Sequence, residues 1–144
     1  MELFTVWWFY ALLSAVFAAL TTIFAKIGVT EISSNLATAI RTVVILVIAW
    51  VIVITQGEMR QLGSVSNRSL IFLVLSGAAT GLSWLFYFRA LQIGQASLVA
   101  SIDKLSSVFV ILFAALFLDE PFSISSILGA LLIIAGALLM TAKV

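Results

Sequence analysis

Long apolar runs divided by short polar breaks organise the 144-residue chain. A helix crossing about 30 Å of hydrocarbon at about 1.5 Å per residue needs about 20 mostly apolar residues. Five stretches meet that length: about Leu3 to Ala25, Leu36 to Thr55, Ser69 to Phe88, Ala96 to Leu118 and Phe122 to Ala142. Membrane strands would alternate apolar and polar residues, and runs such as ILVIAWVIVI do not alternate. The pattern predicts an all-α polytopic membrane protein: five transmembrane helices forming a single domain over 1–144, with no linker and no internal repeat.

The breaks carry their own signals. Ser33-Ser34-Asn35 suits the N-cap region of the second span, and Gln56–Arg68 is the longest predicted loop. Arg89–Gln95 holds Gly94, and Asp119-Glu120-Pro121 is the tightest turn. Pro121 cannot continue the fourth span but suits the first turn of the fifth. Short loops make neighbouring helices antiparallel. The start, Met1-Glu2, is not basic and its apolar run is too long for a signal peptide, so the first span is expected to be retained. Trp7, Trp8 and Tyr10 suit an interfacial aromatic belt.

Composition removes most other classes. Apolar residues make up 64% of the chain and charged ones 9%, with no cysteine and no histidine. A soluble domain carries roughly 25% charged residues, so a soluble globule and a disordered chain are excluded. A disulfide scaffold, a Cys/His metal site and histidine acid–base chemistry are excluded too. Net charge of +1 supplies no basic field for nucleic acid. No H-E-x-x-H or G-x-S-x-G motif is present, so neither an enzyme nor a cofactor is expected. Asp119-Glu120 most simply complements the positive N-terminal end of the fifth helix.

An odd number of spans puts the termini on opposite faces. Arg60 and Arg68 flank one side (side A), and Lys26, Arg89 and Lys143 the other (side B). That near-balance is what a chain inserting in both orientations would show. Adding Arg41 and Lys104 favours side B in the cytoplasm.

Charges within spans are the most informative residues. Arg41 lies about two turns into the second span, Asp103 and Lys104 about two turns into the fourth, and Lys26 closes the first. All four fall in the side B half. An unpaired charge at mid-membrane costs about 2.5–3.5 kcal/mol, so three deep ones cost on the order of 10 kcal/mol. Pairing, hydration or both must offset that. Adjacent helical residues point about 100° apart, so Asp103 is expected to reach a cation on the first or second span rather than Lys104. Structural ion pairs and snorkelling to headgroups stand as the alternatives to function.

Polar residues fall into stripes. Ser76, Thr80, Ser83 and Tyr87 share one face of the third span; Ser101, Lys104 and Ser107 share one of the fourth; Ser14, Ala18, Thr21/Thr22 and Lys26 line the first. Either these hydroxyls line a shared interior, or they bond their own helix backbones. Trp84, Phe86, Tyr87 and Phe88 either wall such a cavity or face lipid. Gly77 and Gly81 form G-x-x-x-G, and Gly129 and Gly136 lie two turns apart near Ala130, Ile133 and Ala137. Small residues let helices approach closely in lipid, within the chain or between copies.

The stretches GAATGLSWLFYFRALQIGQASLVASIDKLSSVFVILFAALFLDEP and ILGALLIIAGALLM closely resemble the EamA-type unit of the drug/metabolite transporter superfamily. Family-like features are Tyr87 followed by Ala90-Leu91, the Ala96-Ser97 pair, Phe117-Leu118-x-Glu120 and the Gly129…Gly136 helix. Lys26 and Arg41 fit upstream. Many such units carry a proline early in the fourth helix, where this chain has Ile102-Asp103-Lys104-Leu105-Ser106; that version resembles the single-unit, five-helix bacterial and archaeal branch. The resemblance implies half of a ten-helix inverted-repeat transporter, completed as an antiparallel homodimer, with a solute path between the halves. Related four-helix exporters use a carboxylate in the first helix. This chain has none there, so that mechanism does not carry over, and Asp103 is the acid left within a span.

The expectation is therefore a metabolite exporter or facilitator in a prokaryotic cell membrane, in contact with lipid and a small solute. Asp103 would couple or gate, Lys104 and Arg41 would shape the field of the path, and the third-span seam would line it. A positive balance there points to anionic or zwitterionic solutes. The rival expectation is a non-transporting membrane subunit that packs on a partner through the fifth helix.

Overall fold

The structure, a computed structural model, describes residues 6–142. Lys143, Val144 and the first five residues lie outside it. Helices are α1 (Trp7–Gly28), α2 (Ser34–Thr55), α3 (Asn67–Ile93), α4 (Ala96–Asp103), α5 (Ser106–Phe117) and α6 (Ile124–Thr141), with a 3-10 helix over Glu58–Ser64. Among the described residues there is no strand. Five spans result, because Ala96–Phe117 crosses as one 22-residue unit despite an internal break.

The chain forms two compact units, Met1–Gln92 and Ile93–Val144. Each follows from local chemistry. In the first unit, the segment Val43–Ile54, rich in β-branched residues, is helical because a backbone in hydrocarbon must satisfy its own polar groups, which overrides side-chain propensity. Ser33 caps α2 as expected, its Oγ accepting from the Leu36 N–H at 3.2 Å. Gly57, at φ 71°, supplies the left-handed residue after α2. The expected 56–68 loop is largely the 3-10 helix. The third helix outruns its apolar core at both ends: 27 residues at about 1.5 Å each exceed the hydrocarbon thickness. Arg68 and Arg89 are therefore helical residues at the two membrane faces, not loop residues.

In the second unit, the fourth span runs over Ala96–Phe117, close to the 96–118 that the pattern predicts, but with a turn inside it. It breaks at Lys104–Leu105, where bonds shorten to the 3-10 type: Leu105 N–H to the Ile102 carbonyl at 2.9 Å and Ser107 N–H to the Lys104 carbonyl at 3.0 Å. No proline is needed for this. The last helix also starts later than expected. Ser123 caps α6 through the Ser126 N–H at 3.0 Å, so Pro121 precedes the helix rather than opening it, and Asp119-Glu120 stand off its N-terminus. Asp119 instead ends α5 in the left-handed region (φ 54°), which Asp tolerates. The Glu120 N–H then returns to the Ala114 carbonyl at 3.3 Å.

Few apolar side chains are buried: Val29, Phe88, Leu91, Ala114 and Ala137. Most of the other large apolar side chains are exposed. That suits a solvent as apolar as the side chains themselves.

Candidate functional site

In the first unit α1 and α3 run in parallel register. The hydroxyls of Thr22 and Tyr87 meet at 2.7 Å, and Lys26 Nζ donates to the Leu91 carbonyl. Both pairs are separated by 65 residues, the signature of two parallel helices in step. The Leu91 carbonyl lies in the last turn of α3, where intrahelical partners run out. A cation there also complements the negative end of the helix.

Arg41 enters from α2. Its guanidinium carbon sits 3.3 Å from the centre of a Trp84 ring and 5.7 Å from that of Phe88. Trp84 packs on Tyr87 at 5.4 Å between centroids and on Phe88 at 5.5 Å. A cation over a desolvated indole gains up to about 2 kcal/mol, against about 2.5–3.5 kcal/mol for a bare arginine at mid-membrane. The stack offsets much of the burial cost. It also leaves the guanidinium edge unspent: within its unit, no described residue accepts a hydrogen bond from Arg41. A cavity of about 360 Å³ opens beside it, walled by Phe24, Ile32, Ile40 and Phe88, with Thr21 and Arg41 as its polar side chains.

Gln92 fastens the α1–α2 turn to the end of α3. Its Nε2 donates to the carbonyls of Ile32 at 2.8 Å and Val29 at 3.3 Å. Arg89 in turn donates to its Oε1 at 3.2 Å. Lys26, Thr30, Arg89 and Gln92 border a polar cleft of about 350 Å³ on this end.

The expected seams divide. Tyr87, Thr22 and Lys26 are brought together. Ser76 and Ser83 are exposed, and Thr80 Oγ1 returns to the Ser76 carbonyl at 2.9 Å, the backbone-bonding alternative. The aromatics divide as well: Phe88 is 2% exposed and Phe86 74%. In the second unit Asp103, Lys104 and Ser107 are all exposed beside the break. Within that unit the side chains of Asp103 and Lys104 form no ion pair or hydrogen bond with a described residue. Ser101 Oγ donates to the Ser97 carbonyl at 2.8 Å and approaches Met140 Sδ at 2.9 Å. A methyl group added at Gly77, Gly81, Gly129 or Gly136 would meet nothing within 4 Å, so the faces of these glycines are open.

Two residues of this site carry no distinguishing mark in the sequence. Gln92 falls in the expected Arg89–Gln95 loop, and nothing in the sequence pairs Trp84, expected either to wall a cavity or to face lipid, with Arg41.

Five helices long and apolar enough to cross a membrane, with arginine, lysine and hydroxyl side chains on them, define a polytopic membrane protein. The chain belongs to the EamA-like transporter family, which it matches over residues 5–142. It is similar to a Sinorhizobium protein named "Uncharacterized transporter in cobO 3'region", with 53% identity over 134 residues, 93% of this chain and 95% of the relative. No solved structure matches it. Family and relative point to transport rather than catalysis.

Proposed function

We propose that the protein moves a small metabolite across a prokaryotic cell membrane by alternating access, as an antiparallel homodimer. The observation that carries this is the break in the fourth span at Lys104–Leu105, beside two exposed charges. Lys104 and Leu105 both keep helical dihedrals, so the break is a 3-10 tightening. Such irregular turns within membrane helices often mark functional sites, and transporters hold substrates and coupling ions where a helix departs from α geometry. Charges left unpaired within the second unit need a partner from outside it, such as water or a solute. In this reading Asp103 couples or gates, Lys104 and Arg41 set the local field, and Ser76, Thr80, Ser83, Tyr87 and Ser107 border the path. Lys26 anchors the helices that line it. The open glycine faces, Gly77/Gly81 and Gly129/Gly136, are where a second copy packs. Near-balanced flanking charge is consistent with insertion in both orientations.

Proteoliposome flux tests the coupling role. Asp103→Asn is expected to lower flux at least tenfold and to flatten its pH dependence; unchanged flux and an unchanged pH profile remove Asp103 from the mechanism. C-terminal topology reporters, one active in each compartment, test the dimer. Signal from both supports it, and signal from one alone overturns it.

A further inference from the structure

We infer that the cavity beside Arg41 binds a small amphiphilic monocarboxylate, its anionic head on the guanidinium and its apolar body among Phe24, Ile32, Ile40 and Phe88. This names a solute class, and its physiological meaning rests on the transport reading above. Three observations converge. A guanidinium carries five N–H donors in its plane, and stacking on Trp84 at 3.3 Å engages only its face. The in-plane edge keeps the fork that matches a carboxylate through two parallel bonds. The cavity wall is otherwise apolar, with Thr21 the one further polar side chain, so the guanidinium is the single charge a guest meets and an anion is favoured over a neutral or cationic guest. The volume of about 360 Å³ falls within the range of small-molecule pockets. An apolar wall meeting one fixed cation selects a guest with one charged end. A dianion or a sugar would leave polar groups unmatched against Phe24 and Ile40.

Octanoate is a suitable probe, measured by calorimetric titration of the full chain in nanodiscs of zwitterionic lipid. Octanoate is expected to bind at least tenfold more tightly than octanamide or octylamine, a comparison that needs no variant. Arg41→Gln is expected to weaken octanoate at least tenfold, and Arg41→Lys, which keeps the charge but loses the fork, three- to tenfold. Equal affinity for acid and amide overturns the proposal, as does unaltered octanoate binding by a folded Arg41→Lys protein. Doping the nanodiscs with phosphatidylglycerol is expected to leave octanoate affinity within twofold. Full competition by that lipid overturns the proposal in favour of a headgroup site. Binding is read without flux, so octanoate binding in a protein that moves nothing would sink the transport reading alone. Coupled flux without octanoate binding would sink this inference alone.

Discussion

In the first unit Arg41 lies on Trp84 and Lys26 ends on a carbonyl of α3. In the second, Asp103 and Lys104 stand exposed where the helix itself is interrupted. Both units carry charge to membrane depth, yet only the first settles it internally. The aromatic stack and the capped helix end make that half a self-sufficient frame. The other half keeps its charges for something outside itself.

Helix interruption gives the largest contrast. Val110→Pro, inside α5, is expected to cost about 3 kcal/mol, because proline removes a hydrogen bond and clashes with the preceding turn. Ser106→Pro, at the first position of α5, is expected to cost about 1–2 kcal/mol: proline suits a helix start, but it strains the helical backbone of Leu105 before it. Unfolding in mixed micelles, followed by circular dichroism, measures both. Equal losses would mean the fourth span is continuous in the membrane.

Next in size is the comparison of the charges themselves. Trp84→Leu strips Arg41 of its ring and is expected to destabilise the protein by about 1–2 kcal/mol. Asp103→Asn is expected to change stability by less than about 0.5 kcal/mol, because no partner in its unit is lost. Calorimetric melting of the two variants side by side reads this. An Asp103→Asn loss as large as that of Trp84→Leu would show a fixed partner and erase the contrast. The smallest effect belongs to Tyr87→Phe. Hydroxyl pairs between membrane helices average about 0.6 kcal/mol, so a melting shift of one or two degrees is the expected result. A large loss would make the Thr22–Tyr87 pair a keystone of the α1–α3 contact.

The spans themselves were legible because the bilayer imposes length and apolarity on any helix that crosses it. Ser33 was legible because capping needs only a hydroxyl at the right offset. The interruption at Lys104–Leu105 was not, since neither residue is a helix breaker and no glycine or proline marks it. Pro121 misled for a related reason. Its ring suits a helix start, but Ser123 caps more effectively two residues later, so the helix begins there. Of the candidate site residues, Lys26, Arg41 and Tyr87 could be named from charge and spacing. Their partners could not, because the 65-residue offset between α1 and α3 is a tertiary register. Gln92 escaped for the same reason: its acceptors are main-chain carbonyls about 60 positions away.

That glutamine leaves no slack at its end of the molecule. One amide grips the turn joining α1 to α2 while belonging to α3, so the three helices there answer to a single side chain. A change at Gln92 would therefore be felt at three helix ends at once, beside the frame that holds Arg41.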